Sequence, residues 1–181
     1  MRLYAHRRRV CRRDCYALRP LKLLFALAVI LAALPARANE IPDWFAESFL
    51  DVREDVAEAA KQGKRLMLYF WLEGCPYCER MEKVTFRDPQ IVARLRREFV
   101  AVAINVRGDR EVTWTDGARL TEKTLTQKLA IRGTPTLVLF DEKGAVAART
   151  TGYLDPAQLG ATLDRARAPR TSSPPGRPGP T

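Results

Sequence analysis

Histidine is almost missing from this chain: among 181 residues there is one, His6, alongside four cysteines. Long apolar runs are missing too, the longest unbroken one being the twelve residues Leu23–Leu34. Each scarcity excludes something. His6, Cys11 and Cys15 all precede residue 39, in a stretch that reads as an export leader, so the expected mature chain keeps only Cys75 and Cys78. Without histidine it has no Ser-His-Asp or Cys-His nucleophile system. Nor does it have a histidine metal site, and two thiolates alone do not close a zinc site. The apolar run falls short of the roughly 20 residues that span a bilayer.

Charge of one sign is abundant only in the leader. The formal net charge of +10 suggests a nucleic-acid or membrane-surface binder. Residues 1–38 account for it: they carry nine Lys or Arg and one acid, Asp14, of the 31 basic and 21 acidic residues in the chain. What remains is 22 against 20, a charge of +2, and no nucleic-acid partner is expected.

The leader has a cationic start, the Leu23–Leu34 run and then Ala36-Arg37-Ala38, the small-x-small pattern of a cleavage site. Residues 1–38 therefore read as a signal peptide cut after Ala38, which places the mature protein in the periplasm. The competing readings are an uncleaved signal-anchor or a buried core helix. Arg8-Arg9 and Arg12-Arg13 match a twin-arginine signal only in the pair itself, and a start codon set too far upstream also accounts for the long cationic start.

Residues 39–167 read as one domain. Pro42–Ser48 is irregular, with Trp44 and Phe45 as packing aromatics. A helix is predicted from Asp51, where Asp51-x-x-Glu54 is a capping pattern, with Val52, Val56, Ala59 and Ala60 inward and Gly63 as its stop. Arg65–Leu72 is a buried central strand, and a helix follows from Pro76 to about Val84. Asp88–Arg97 is helical with Ile91, Val92 and Leu95 inward, and Phe99–Val106 is a second buried strand. Arg107–Arg119 reads as a polar, turn-rich insertion, in which Trp114 either docks a partner or caps the domain edge. A short helix covers Thr124–Ile131, started by Thr124-x-x-Gln127. Strands are expected over Leu137–Phe140 and Ala145–Thr150, and a last helix from Asp155-Pro156 to about Arg167. Residues 168–181, rich in Pro, Arg, Ser, Thr and Gly, cannot bury a core and read as a disordered tail. This order describes an α/β fold, a mixed central β-sheet flanked by helices on both faces.

Chemistry concentrates at Cys75-Pro76-Tyr77-Cys78, between a buried strand and a helix. A cysteine at a helix N-terminus meets unpaired N–H groups and the positive end of the dipole, which favour the thiolate. Cys75 is thus the candidate nucleophile. Cys78, one turn on along the same face, is the candidate resolving thiol, and Pro76 suits the first helical position. A structural disulfide is the bland alternative in an exported protein, yet a four-residue loop is a poor staple. A half zinc site completed by a second chain is another. Strand, Cys-x-x-Cys, helix is a redox arrangement. Thr134-Pro135 opens a strand about sixty residues later, where Thr134 would face Cys75 and offer backbone to an extended peptide.

Cys75-Pro76-Tyr77-Cys78 preceded by Phe70-Trp71, then Thr134-Pro135-Thr136 and the Gly144 hairpin, resembles the thioredoxin superfamily over about Asp51–Leu163. Gly74–Ile91, Ile104–Lys123 and Gly152-Tyr153 look most like the SoxW-type periplasmic thioredoxins of bacterial sulfur oxidation. The resemblance implies a thioredoxin fold, a supporting role for Pro76, Tyr77, Thr134 and Pro135, no organic cofactor, and a monomer. It also implies a partner protein as substrate and a membrane thiol carrier as electron donor. An oxidase or isomerase of the same fold, and a non-catalytic binding module, stay open as alternatives. One departure concerns proton transfer: Tyr69 stands where such proteins usually place a buried acid, leaving Glu73, Glu79 or water as acceptors for Cys78.

Overall fold

The computed structural model describes residues 41–167; the leader and the Pro-rich tail lie outside them. Among the described residues, five helices and six strands follow one another. They are α1 (Val52–Lys61), β1 (Arg65–Trp71), α2 (Pro76–Lys83), α3 (Pro89–Glu98), β2 (Phe99–Asn105), β3 (Glu111–Thr113), β4 (Arg119–Thr121), α4 (Glu122–Lys128), β5 (Thr136–Phe140), β6 (Val146–Thr151) and α5 (Pro156–Arg167). A 3₁₀ turn, Thr85–Arg87, joins α2 to α3.

Short-range signals set the helix ends. The Asp51 carboxylate accepts from the Glu54 amide at 3.0 Å, and Gly63, at φ 67°, follows the end of α1. Asp88 caps α3 through the amides of Gln90 and Ile91, each at 3.0 Å. Asp155 and Gln158 exchange reciprocal bonds at the start of α5, at 2.8 and 3.0 Å. Two expectations shift. The cap of α4 is Thr121, bonded reciprocally with Thr124, so the helix begins two residues before the expected Thr124. Ala60 is exposed, so the inner face of α1 rests on Val52 and Ala59.

The main sheet has the order β2-β1-β5-β6, with β1 parallel to β2 and the other pairings antiparallel. β1 is buried from Leu66 to Phe70 because both its faces are covered. Its period of two divides the core. Met67 and Tyr69 face Met81, Phe86, Leu95, Leu159 and Leu163, from α2, the 3₁₀ turn, α3 and α5. Leu66, Leu68 and Phe70 face Val52, Val112, Trp114 and Leu125, from α1, the insertion and α4.

The insertion is more ordered than its composition suggests. β3 and β4 form a two-stranded hairpin. Thr113 donates to the Leu50 carbonyl at 2.9 Å. The buried Glu122 carboxylate accepts from the Asn105 amide at 2.9 Å and from Arg110 at 2.7 Å. Trp114 is 8 % exposed, with its ring centroid 6.1 Å from that of Phe140, so it caps the domain edge and presents no docking aromatic.

Candidate redox site

β1 ends at Trp71, and the chain turns through Gly74 at φ 72°, a conformation that suits glycine. The turn sets Cys75 at the N-cap of α2, with its amide on the Leu72 carbonyl at 3.2 Å. Pro76 takes the first helical position, where its missing N–H removes no helical bond. The Cys75 sulfur accepts from the Cys78 amide at 3.3 Å. From across the site the Thr134 hydroxyl donates to the same sulfur at 3.3 Å, and the Thr134 carbonyl lies 3.6 Å from it.

Thr134-Pro135 is a cis peptide bond, and Pro135 is buried. Its carbonyl accepts from the Gly152 amide at 2.8 Å, which ties the start of β5 to the end of β6. The Thr136 and Thr151 hydroxyls pair at 2.9 Å across the same two strands. Cys75, Cys78, Pro76, Thr134 and Pro135 therefore converge. Tyr77 does not join them through its side chain, which is 61 % exposed on the rim; only its amide turns toward the Cys75 sulfur.

The two thiols sit in opposite environments. Partial burial pushes the Cys75 thiol up. Hydrogen bonds from the Cys78 thiol, the Thr134 hydroxyl and the amides of Cys78 and Tyr77 outweigh this, and the net direction is downward. Cys78 is fully buried, and desolvation first, then the neighbouring Cys75 sulfur, push it up to about 12. One sulfur is accessible and readily ionised, and the other is buried and holds its proton. That asymmetry suits an exchange in which one thiol attacks and the second follows.

Beneath Cys78 lies a pair, Tyr69 and Glu82, that the motif alone does not single out. Glu82 is 2 % exposed and Tyr69 fully buried, and the Tyr69 hydroxyl donates to Glu82 Oε1 at 2.9 Å. Burial first, and then the charges of Glu82 and Cys78, push the Tyr69 phenol well above its ordinary range. The spacing carries a signal for Glu82: it is four residues after Cys78, hence on the same helix face. Glu73 is exposed, and Glu79 binds Lys83 at 3.0 Å. Among the described residues, no three His, Cys, Asp or Glu side chains gather as a metal site would need. A cleft of about 1020 Å³ beside Trp44, Phe86, Pro89 and Val92 includes none of the residues around Cys75.

A family model for the thioredoxin-like domain matches residues 52–167. The chain belongs to that family. Its curated relatives include the thiol:disulfide interchange protein DsbD of Tatumella citrea, 29 % identical over 166 residues. The DsbD of Photorhabdus laumondii is 33 % identical over 94 residues. These alignments cover 83 % and 51 % of this chain but only 27 % and 15 % of the relatives, so the chain spans about a quarter of their length or less. Among solved structures, a thioredoxin-fold protein from Helicobacter pylori superimposes with a TM-score of 0.56 at 25 % identity, over 67 % of this chain and 75 % of that one. A thioredoxin from Thermus thermophilus gives 0.50 at 25 % identity, over 71 % and 86 %. The expected thioredoxin fold is what the structure has.

Proposed function

We propose that this chain is an exported protein thiol–disulfide oxidoreductase in which Cys75 is the nucleophile and Cys78 the resolving cysteine. The carrying observation is the Cys75 sulfur at the start of α2, held by an amide and a hydroxyl at 3.3 Å each while Cys78 lies buried behind it. The Cys75 thiolate attacks a partner disulfide, forming one S–S bond as the partner's breaks, and the released partner sulfur takes a proton. Cys78 then attacks Cys75, closing the internal disulfide and freeing the second partner sulfur. Two electrons have passed to the partner, and a membrane thiol carrier returns them. Thr134 offers backbone to an extended partner segment, with exposed Tyr77 beside it.

The finer reading is a SoxW-like reductase that keeps a carrier protein's cysteine reduced. The resemblance over Gly74–Ile91 and Ile104–Lys123 supports it, and the names of the curated relatives support the class of chemistry. The direction is tested by equilibrating the purified protein in graded thiol–disulfide buffers. A potential near about −270 mV fits a reductase, whereas one near about −120 mV makes the protein an oxidant and overturns the direction. A pair that no buffer reduces would make the disulfide structural and sink the catalytic reading.

A further inference from the structure

Most arginines of the domain are engaged: Arg94 and Arg110 each hold a carboxylate at 2.7 Å, and Arg149 donates to the Leu129 carbonyl at 2.7 Å. Arg107 and Arg132 are exposed, and among the described residues neither side chain has a hydrogen bond, ion pair or ring contact. The sheet brings both to the redox end. Val106 donates to the Trp71 carbonyl at 2.9 Å, so Arg107 follows β2 where β1 ends and its chain turns toward Cys75. Arg132 precedes Thr134 by two residues, and the Thr134 hydroxyl reaches the Cys75 sulfur at 3.3 Å. The Lys123 amide donates to the Gly108 carbonyl at 3.0 Å, which adds a third exposed, unpaired cation next to Arg107. Acids at this end are fewer. Glu79 is bound to Lys83 at 3.0 Å, and Asp109 lines a hollow with Glu111, Arg119 and Thr124, apart from the residues around Cys75. Glu73 remains, exposed on the turn before Cys75, and Arg80 lies over the Tyr153 ring at 4.4 Å.

We propose that Arg107 and Arg132 dock a partner segment that carries carboxylates on both sides of its disulfide, with Thr134 holding that segment's backbone between them. This inference rests on the proposed thiol–disulfide exchange and names the partner's chemistry. β1 lies between β2 and β5 in the sheet, so the two arginines stand on opposite sides of the strand that leads to Cys75. A guanidinium takes a carboxylate through two parallel N–H bonds, and its long side chain reaches a bound segment without entering the site. Pairing these arginines within the domain would add little, because an exposed ion pair contributes little stability. Left free at a docking face, they raise the encounter rate and select the partner by the sign of its charge. The leading influences on Cys75 are burial and hydrogen bonds, so the arginines act on association and leave the thiolate as it is. The exchange itself is unchanged: the Cys75–Cys78 dithiol is oxidised to a disulfide as the partner's disulfide takes up two electrons and becomes two thiols.

The test is the rate at which three peptides oxidise the reduced full chain, followed by acid quenching and alkylation of the remaining thiols. The peptides have equal length and one internal disulfide each, flanked by glutamates, glutamines or lysines. At low salt the glutamate peptide is expected to react about 10-fold faster than the lysine peptide, within the range of electrostatic steering. That difference should vanish toward 1 M salt, where the screening length falls to about 3 Å. Arg107→Glu with Arg132→Glu is expected to reverse the order, and Arg107→Gln with Arg132→Gln to remove most of it, while the glutamine peptide keeps its rate. Equal wild-type rates for the glutamate and lysine peptides overturn the proposal, as does a preference that survives both double variants. Slowing of all three peptides alike in both variants also overturns it, because the arginines would then serve the site and not the partner's charge. A wild-type dithiol that none of the peptides oxidises refutes the exchange reading itself, a result distinct from exchange without preference by charge.

Discussion

Cys75 and Cys78 are three residues apart and differ in each property that governs a thiol: access, hydrogen bonding and proton affinity. Their opposite shifts make a prediction about stability. Cys75 holds its proton less tightly when folded, so it contributes stability above its unfolded value of roughly 8.5, lost as pH falls through its folded value. Cys78 holds its proton more tightly, so its contribution is complete below that unfolded value and is lost as pH rises toward about 12. Denaturant midpoints of the dithiol form, minus those of a Cys75→Ala, Cys78→Ala variant, should therefore peak near pH ~8.5 and decline on both sides. A flat difference curve would refute the asymmetry. The nucleophile was legible from the motif because a helix start is a local feature. Glu82 was not, because a glutamate in a charged stretch (Glu79 to Lys83) reads as solvated until β1 is packed against it.

Elements found by periodicity and caps stand within about three residues of expectation, the largest gap being the end of α4 at Lys128 against the expected Ile131, since both signals act over a single turn. The hairpin β3–β4 did not show itself, because three-residue strands of Glu-Val-Thr and Arg-Leu-Thr lack a run long enough to read. Contacts distant in sequence hold it, chiefly Glu122 on Asn105 and Arg110 and Leu50 on Thr113. Gly108 packs so closely on this network that an added Cβ would strike the Glu122 carboxylate. Gly108→Ala should thus cost about 1–3 kcal/mol by overpacking and by unpairing the Asn105 amide. Urea unfolding measures it, and an unchanged midpoint would show that the carboxylate moves aside freely. Trp114 belongs to the same element, and its exposure was ambiguous in sequence because a polar loop does not say which side faces Phe140.

At the scale of the whole molecule, the excess positive charge belongs to residues 1–38, which lie outside the described residues. The chain is expected to be cut after Ala38 on export, and mass spectrometry of the protein from a periplasmic fraction should find Asn39 as its first residue. A protein that retains Met1 or an anchoring segment would refute the cleavage. No helix among the described residues is long and apolar enough to cross a membrane. What the sequence determined alone was local: a buried strand, a cysteine at a helix start, a second cysteine one turn on, and caps that act over three residues. The tertiary structure decided what meets those elements. Pairing β5 antiparallel to β1 brings Thr134 to Cys75 across 59 residues, and packing α2 on β1 brings Tyr69 to Glu82 across 13. Such contacts depend on which strands become neighbours and which helix face turns inward, and hydrophobic burial over the entire domain settles both.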